Sequence, residues 1–366
     1  MSEGEEITSI IFDLGSYNFR IGISGNDSPS FILNPYVTLK NENELLFTQE
    51  DLIEASNNLN SKIFSIMNQN EDCNITNFNY FESYFENEII NKRIIDDNIF
   101  LHPFLFSEPI IQNKEIRRKL VEYLFEKYSI PSFFICNTPV LSSFSFGKIT
   151  CLMFDSGHNH TTAIPVNDGL ILKNAKVNSE VNGKFINNEI KKSIEEKIGI
   201  ISKSEYICNN IISEIKKNII NLTDDNNTIT YNLPDKRKIE LLKSDRDKYE
   251  NLMYLNDNNN YSTIIFNSVN LVTQDIKKDL MNNIYLYGGN TLISEDICNK
   301  IREGIIPKVS HTTNVRVSKH PKKEDRCNAC WLGCSILSSL GTFNEISIKK
   351  EEYEEHGSSV VDRKCI

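Results

Sequence analysis

The sequence lacks the features that would place the protein in a membrane, in the secretory route or along nucleic acid. No apolar run approaches 18 residues, so no membrane-spanning helix is predicted. The N-terminal segment MSEGEEITSI has neither the basic nor the apolar region of a secretion signal. Acidic residues outnumber basic ones by 50 to 40, for a formal net charge of -10. This balance argues against a general DNA-wrapping surface, because phosphate binding needs dense Lys and Arg.

Histidines and cysteines with the spacing of a metal site are also lacking. The nine cysteines are scattered, and we interpret them as reduced thiols of a protein in the cytosol or nucleus. Cys327, Cys330 and Cys334 form a C-x2-C-x3-C pattern, but a clear fourth ligand is missing and the segment runs into an apolar stretch. Buried thiols are therefore a better interpretation than zinc.

Length and composition predict a folded protein with two lobes. At 366 residues the chain is too long for one simple core. Its hydrophobic content of 39%, with 20 Phe and 14 Tyr, is ample for packed interiors. We therefore expect two compact lobes and no wholesale disorder.

Two segments of the chain, 9–24 and 150–166, repeat one pattern. Each is an apolar run that ends in Phe-Asp-x-Gly and continues through polar residues into a second alternating run. The repeated residues are Phe12, Asp13 and Gly15 in the first copy, and Phe154, Asp155 and Gly157 in the second. A strand that ends at Asp, turns on Gly and returns as a hairpin directs a carboxylate and backbone N–H groups to one point. Two such turns predict a phosphate clamp, with the carboxylates placed to hold the waters of Mg²⁺.

Helical and strand patterns alternate along the rest of the chain. Apolar residues recur at helical spacing in 114–128 and 204–220, and Pro131 ends the first of these runs. The segment 164–172, with Asn-Asp-Gly at its centre, predicts a hairpin. A third strand-to-glycine turn occurs in 283–293, where paired glycines let a ligand approach the backbone. The fold class is therefore α/β, with two halves and a crevice between them.

These segments, in this order, resemble the actin family. DLGSYNFRIG resembles the first phosphate loop of the family, FDSGHNHTTAIPVNDG the second, and LYGGNTLI the loop beside the adenine. HPFLFSEP, NLPD and the final segment 331–366 continue the family pattern, so the resemblance covers most of the chain. DLGSYNFR and TTAIPVNDGLIL look closest to the nuclear type of actin-related protein, found in chromatin-remodelling and histone acetyltransferase complexes. Conventional actins carry a small residue where Tyr17 stands and a lysine where Arg20 stands.

The resemblance implies the actin-like duplicated ATPase fold, with two ribonuclease H-like halves and four subdomains around a central nucleotide cleft. The first lobe would comprise residues 1–138 with 325–366, and would contain 34–70 as the small subdomain 2. The second lobe would comprise 139–324, with 181–264 as subdomain 4.

The resemblance also implies a site for ATP or ADP with Mg²⁺. The residues placed at the nucleotide are Asp13, Gly15, Ser16, Tyr17, Arg20, Asp155, Ser156, Gly157, His158, Asn159, Gly183, Lys216, Gly288, Gly289 and Leu292. Among them, Asp13 and Asp155 would order the metal's waters.

Several of these residues also have a simpler interpretation that involves no ligand. Ser16 can instead cap a turn, and the two aspartates can serve as Asx-turn residues at strand ends. His158 and His160 taken alone are more typical of surface histidines than of ligands. Lys216 and its neighbour Lys217 can simply be exposed to solvent.

Several family positions carry different residues here. Lys217 replaces an acidic residue that usually binds the ribose hydroxyls, and Cys327 replaces a lysine near the adenine, so weaker nucleotide affinity is expected. The glutamine and histidine that orient the attacking water in the family correspond to Thr138 and Thr162. Threonine is shorter and has no imidazole base, and loss of positioned acid–base help typically costs about 10²- to 10⁴-fold in rate. The resemblance therefore predicts that the nucleotide is bound but hydrolysed little. Its role would be structural, because a ligand that contacts both lobes stabilises the closed form.

Partners follow from the same resemblance. The loop through which actins polymerise corresponds to 41–70, which is rich in acidic residues and asparagine, so self-polymerisation is not expected. An apolar groove between the two small-domain segments at the bottom of the molecule is expected to receive a helix of a chromatin-remodelling ATPase, side by side with an actin monomer. The residues predicted at this groove are Thr138, Val140, Ser142, Ser143, Ile336 and Leu337.

The leading hypothesis is a scaffold subunit of a nuclear chromatin complex that engages histones or nucleosomes through that complex, without membrane association or sequence-specific DNA binding. No basic run of the nuclear-localisation type is present, so the nuclear location, with a cytoplasmic pool as an alternative, rests on the resemblance. A divergent cytoskeletal actin-like ATPase is the alternative function. Sugar kinases and Hsp70-type chaperones share the duplicated clamp, but both are disfavoured. A kinase needs a catalytic Asp, and no candidate stands in a matching motif. A chaperone of this type needs a peptide-binding domain after the nucleotide lobes.

Overall fold

The computed structural model describes residues 8–39, 45–46, 49–57, 62–68, 73–92, 98–111, 113–222, 227–255 and 259–365. The strands in this part of the chain are β1 (Ile10–Leu14), β2 (Phe19–Ile23), β3 (Phe31–Leu33), β4 (Tyr36–Leu39), β5 (Leu45–Leu46), β6 (Ile63–Ser65), β7 (Phe104–Glu108), β8 (Ser132–Asn137), β9 (Cys151–Ser156), β10 (Thr161–Asn167), β11 (Leu170–Ile171), β12 (Val177–Ser179), β13 (Thr228–Asn232), β14 (Lys238–Leu242), β15 (Ile284–Tyr287), β16 (Val317–Lys319) and β17 (Ile348–Lys349).

The α-helices in the same described ranges are α1 (Gln49–Asn57), α2 (Phe78–Tyr84), α3 (Lys114–Tyr128), α4 (Thr138–Ser145), α5 (Gly183–Ile198), α6 (Glu205–Ile220), α7 (Lys243–Asn251), α8 (Tyr261–Asn270), α9 (Gln274–Asn282), α10 (Ile297–Ile305), α11 (Lys323–Cys327), α12 (Ala329–Ser338), α13 (Phe343–Ile346), α14 (Lys350–His356) and α15 (Val361–Lys364). A π-helical segment, Phe85–Asn91, continues α2. Short 3₁₀ segments lie at Ile99–Leu101, Lys173–Ala175, Gly289–Leu292, Ile306–Lys308 and Ser358–Val360. No helix among the described residues is long and apolar enough to cross a bilayer.

Two six-stranded sheets repeat one topology. In the first, the order β8-β7-β1-β2-β3 joins an antiparallel meander to two parallel strands, and β17 is added at the edge. In the second, the order β16-β15-β9-β10-β11 has the same directions, and β12 also pairs with β10. The strand that ends in Phe-Asp is central in both sheets, so the duplication seen in the sequence is a duplication of the fold.

Helices α4 and α12 occupy equivalent places in the two halves and pack against each other between the sheets. Their backbones are in close contact at Gly333, where an added Cβ would overlap the carbonyl oxygen of Leu141. Side chains of β9 alternate between two hydrophobic cores: Cys151 and Met153 join the core of the first sheet, and Leu152 and Phe154 join that of the second. The halves are therefore packed together across buried surfaces.

Local patterns are confirmed where they predicted single elements. Helix α3 spans the predicted 114–128 and ends at Ser129, which has a left-handed φ of 52°. Helix α6 begins after Ser204, whose side chain accepts a hydrogen bond from the Ile207 amide. The hairpin of β10 and β11 turns through Asp168 and Gly169, with φ values of 49° and 77°, as in the turn that Asn-Asp-Gly favours.

Candidate functional site

A cavity of about 880 Å³ lies between the two sheets, lined by residues from both halves of the chain. The hairpin turns after β1 and β9 face it, and α6, α11 and the segment after β15 complete its wall. Thirteen of the predicted nucleotide-binding residues line it: Asp13, Gly15, Ser16, Tyr17, Arg20, Asp155, Gly157, His158, Gly183, Lys216, Gly288, Gly289 and Leu292. The structure thus brings the separate sequence motifs to one place.

Two of the residues predicted at the nucleotide, Ser156 and Asn159, do not line the cavity. Ser156 is fully buried, and its hydroxyl lies within 3.0 Å of the hydroxyl of Thr161 and 2.8 Å of that of Tyr261. Asn159 is 4% exposed and donates from Nδ2 to the carbonyl oxygen of Asn68. The side chain of Ser156 is therefore a core residue beneath the second turn, and that of Asn159 ties this turn to the segment after β6.

Asp13, at the end of β1, is 3% exposed and is bound by two side chains. The hydroxyl of Ser107 donates to Oδ1 at 2.8 Å, and the guanidinium of Arg20 contacts Oδ2 at 3.3 Å. Arg20 stands directly opposite Asp13 in the β1–β2 register, and its Nε donates to Oδ1 of Asn328 at 2.8 Å. The carboxylate at the first turn is thus held by its own hairpin and by the neighbouring strand β7.

Asp155, at the equivalent end of β9, is paired with His160. Nε2 of the imidazole lies 3.0 Å from Oδ2 of Asp155, and Nδ1 lies 3.5 Å from Sγ of Cys73. Burial alone would lower the pKa of His160, but its hydrogen bonds to Asp155 and Cys73 outweigh burial and raise the pKa to about 10. His160 is therefore a cation at neutral pH, and its interpretation as a surface histidine is wrong.

Glycines allow the backbone segments around the second turn to meet. Gly288 has a φ of 93°, and a Cβ there would overlap the carbonyl oxygen of Ser156 and lie 2.6 Å from Oδ1 of Asp155. A Cβ on Gly183 would lie 2.9 Å from the Cα of His158. Only glycine fits the first of these positions without strain, so the segment after β15 closes directly onto the second turn.

Tyr17 and His158 extend the two turns towards each other across the cleft, with ring centroids 4.9 Å apart. Burial raises the pKa of the Tyr17 phenol, an effect that a hydrogen bond with Ser213 partly offsets. Burial and the positive charges of Lys216 and Lys184 lower the pKa of His158 to about 3. His158 is therefore neutral at physiological pH, and it too is a cleft residue instead of a surface histidine.

Lys216 projects from α6 towards the segment after β15. Its ammonium donates to Oδ1 of Asn290 at 2.6 Å, and Nδ2 of Asn290 donates to the carbonyl oxygen of Gly157 at 2.6 Å. Burial in the cleft lowers the pKa of Lys216 to about 7. Lys216 is therefore part of a hydrogen-bonded bridge between two walls of the cavity, whereas Lys217 is exposed at its edge.

The two threonines at the predicted hydrolytic positions line the cavity, but their hydroxyl groups bond to the protein. Thr138 donates to the carbonyl oxygen of Glu108 at 3.0 Å. Thr162, which is 1% exposed and lies opposite Asp155 in the β9–β10 register, donates to Oδ1 of Asn178 at 3.0 Å. Both hydroxyl protons are therefore engaged by oxygen atoms of the protein.

The predicted partner groove is corrected by the packing of α4 against α12. Val140, Ser142, Ser143 and Leu337 are each at most 6% exposed, so these four cannot form an open wall, and Thr138 faces the central cavity. Ile336 is 43% exposed. Exposed apolar side chains lie instead on the segment after α4 (Ile149), on β11 (Leu170), and on or just after α12 (Ile336 and Leu340).

Sequence reasoning missed several residues that build the cleft. Ser107 and Asn328 fix Asp13 and Arg20, and Asn290 joins Lys216 to the second turn. Ser107 lies in the quoted segment HPFLFSEP and Asn290 in LYGGNTLI, so their position beside a motif was a usable signal. Asn328, which lies 308 residues from Arg20, gave none.

The duplicated sheets and the shared cavity define a class of protein: a two-lobed α/β protein with a cleft between two related halves. The chain belongs to the actin family, whose model "Actin" matches residues 4–254 and 213–366. It is 27% identical over 445 aligned residues to "Actin-related protein 4" of Arabidopsis thaliana, with 100% of each chain covered. It is 26% identical over 449 residues to "Actin-related protein 4" of Oryza sativa subsp. indica, again with 100% of each covered.

Proposed function

We propose that this chain is a non-filamentous actin-related scaffold subunit of nuclear chromatin-remodelling or histone acetyltransferase complexes. It holds ATP or ADP structurally, with little hydrolysis, and binds a helical segment of a remodelling ATPase beside an actin monomer. Histones or nucleosomes are engaged through the complex. The observation that carries this proposal is a cleft lined by both glycine turns, with threonines at the predicted hydrolytic positions whose hydroxyl groups donate to protein oxygens.

The cleft residues fit a nucleotide. The turns of Gly15 and Gly157 face one cavity, and Gly289, where an added Cβ would meet no heavy atom within 4 Å, leaves backbone open beside it. Asp13 and Asp155 both line that cavity and would hold Mg²⁺ through its waters. When bound, the metal would neutralise phosphate charge. A ligand that contacts both lobes stabilises the closed form by about 4 kcal/mol at 1,000 times its dissociation constant.

Exposed apolar side chains on segments next to α4 and α12 support the partner proposal. Ile149 and Leu170 are 55% and 52% exposed, and Ile336 and Leu340 are 43% and 45% exposed. The amide of Gly169 donates to the carbonyl oxygen of Ile149, which places the first two side chains on adjacent segments. An amphipathic helix binds surfaces of this kind through its apolar face.

Affinity purification of the tagged full-length chain from nuclear extract tests this proposal. We expect actin and a remodelling ATPase to be recovered together. Leu340→Asp is expected to lose the ATPase, because it puts a charge into the apolar surface. Leu101→Asp, at a 70% exposed leucine on Ile99–Leu101, is the control and is expected to keep it.

Sedimentation distinguishes this proposal from the alternative of a divergent cytoskeletal actin-like ATPase. The filament prediction rests on 41–70, of which the structure describes only 45–46, 49–57 and 62–68. Long polymers pelleted in ATP and Mg²⁺, together with recovery of filament-binding proteins in place of a remodelling ATPase, would refute the scaffold proposal.

A further inference from the structure

We propose that Lys176 binds the terminal phosphate of a nucleoside triphosphate in the cleft, so that the site prefers a triphosphate to a diphosphate. This inference rests on the proposed nucleotide binding and adds the residue that distinguishes the two ligands. Lys176 was not among the residues predicted at the nucleotide, but it lines the same cavity as the two glycine turns.

The strand order of the second sheet determines the direction in which a bound nucleotide extends. In the register of this sheet, Tyr287 of β15 and Thr162 of β10 stand on opposite sides of Asp155. Asn178 of β12 stands on the far side of Thr162, and neighbouring strands are about 5 Å apart. With its base beside the segment after β15 and its phosphates at the second turn, the proposed nucleotide directs its phosphate end towards β10 and β12.

Lys176 lies on the cavity face at this end of the sheet. Its backbone is extended, with φ -66° and ψ 128°, and it leads directly into β12. Side chains two residues apart along an extended chain share a face, so Lys176 shares a face with Asn178 and its partner Thr162. Lys176 and Thr162 both line the cavity. The lysine is therefore on the side that the phosphate end approaches.

The charge of Lys176 is available to a ligand. Lys176 is half-buried and, within the ranges that the structure describes, makes neither an ion pair nor a side-chain hydrogen bond. Glu108, a carboxylate that lines the same cavity, is paired instead with Arg117 at 3.1 Å. Contact with a phosphate therefore breaks no existing ion pair of Lys176.

The other lysines that line the cavity lie on its β15 side. Lys216 donates to Asn290 in the segment after β15, and Lys217 follows it on α6. Lys323 belongs to α11, which packs against β15. Among the lining residues that the structure describes, Lys176 is thus the lysine on the β12 side. An ammonium binds phosphate as a point charge, and a triphosphate extends one phosphate further towards it than a diphosphate does.

The test is displacement of a bound fluorescent ATP analogue from the full-length protein by ATP or by ADP, in excess Mg²⁺. Lys176→Gln is expected to weaken ATP binding by about tenfold and ADP binding by less than about twofold, because ADP lacks the phosphate that the ammonium contacts. Lys176→Arg keeps the charge, and its affinity for ATP is expected to stay within about threefold of that of the unmodified protein. Lys278→Gln, at an exposed lysine of α9, is the matched control and is expected to leave both affinities unchanged.

The outcomes separate this inference from the proposed function. If Lys176→Gln weakens ATP and ADP binding equally, or neither, the inference is overturned and the nucleotide role is left intact. Loss of ATP binding by Lys176→Arg as large as that by Lys176→Gln would also overturn it, because the charge would then not be what matters. An unmodified protein that binds neither the analogue nor ATP would overturn both the inference and the proposed nucleotide binding.

Discussion

The ring of Tyr17 lies against the imidazole of His158, with centroids 4.9 Å apart and planes inclined at 41°. These residues belong to the two phosphate turns, one from each half of the duplicated fold. Tyr36 of β4 meets Tyr206 of α6, with ring centroids 5.6 Å apart and an edge-on orientation. Aromatic contacts therefore join the two halves of the chain at two places, and the first of these, Tyr17 with His158, lies in the cleft.

Removal of the Tyr17 ring is expected to speed nucleotide release. An aromatic pair contributes about 0.5–1.5 kcal/mol beyond its buried area, so Tyr17→Leu should raise the dissociation rate by about two- to twelvefold. The measurement is displacement of a bound fluorescent nucleotide by excess ATP. Tyr17→Phe keeps the ring and removes only the hydroxyl, so its rate should stay near that of the unmodified protein. Equal rates for the Leu and Phe variants would show that the ring contact does not restrain the cleft.

The sequence predicted those parts of the cleft that depend on local order. Asp13 and Asp155 were predicted because each ends an apolar run and is followed two residues later by a glycine, Gly15 or Gly157. Helix α6 was predicted from its apolar stripe, and that stripe fixes which side of the helix carries Lys216. Strand ends, turns and helix faces are set by neighbours in sequence, and these were confirmed.

What the sequence did not predict depends on contacts between distant segments. His160 was interpreted as a surface residue because the local sequence gives no sign of its contact with Cys73, which lies 87 residues away. Val140 and Ser143 were assigned to an open groove because their burial depends on α12, which lies almost 190 residues further along the chain. Periodicity identifies the apolar face of a helix, but it does not identify what covers that face.

A side chain at Gly333 is expected to force α4 and α12 apart. A Cβ there would overlap the Leu141 carbonyl oxygen, which is backbone and cannot move alone. Overpacking costs typically about 1–3 kcal/mol, and we expect Gly333→Ala to lie at or above the upper end of this range. Thermal unfolding followed by circular dichroism measures the effect. Gly341→Ala is a matched control, because no neighbouring heavy atom lies within 4 Å of a Cβ at this position; similar melting temperatures for the two variants would contradict the prediction.

Phosphate release from bound ATP is expected to be about 10²- to 10⁴-fold slower than in a protein with positioned acid–base groups. Thr138 and Thr162 both donate their hydroxyl protons to protein oxygens, and neither carries a base that can take a proton from water. The double variant Thr138→Gln, Thr162→His is expected to raise the single-turnover rate. Thr162→Ser retains a hydroxyl without adding a base, so it should give no increase. Release at an actin-like rate by the unmodified protein would refute the structural role of the nucleotide.

Acidification is expected to destabilise the protein through His158. Its pKa is about 3 in the folded state, below the ordinary value of 6.5, because burial and two lysines oppose its charge. Between these values the unfolded chain binds a proton that the folded chain does not, so stability falls as pH is lowered below 6.5, by up to about 1.4 kcal/mol per pH unit. His160 has the opposite effect on the pH dependence of stability. Its pKa is about 10 in the folded state, above the ordinary value of 6.5, so the stability that it contributes is fully present below pH 6.5 and is lost as the pH rises towards 10.

The two histidines therefore act in different pH windows, which allows them to be separated by denaturant unfolding at a series of pH values. Between pH 6.5 and 5, above the range in which most carboxylates titrate, His158→Gln should lose less stability than the unmodified protein. Between pH 7 and 9.5, His160→Gln should show the flatter profile. Parallel profiles for His158→Gln and the unmodified protein below pH 6.5 would mean that the folded state accepts the proton, and that the contact between Tyr17 and the neutral imidazole is not maintained in solution.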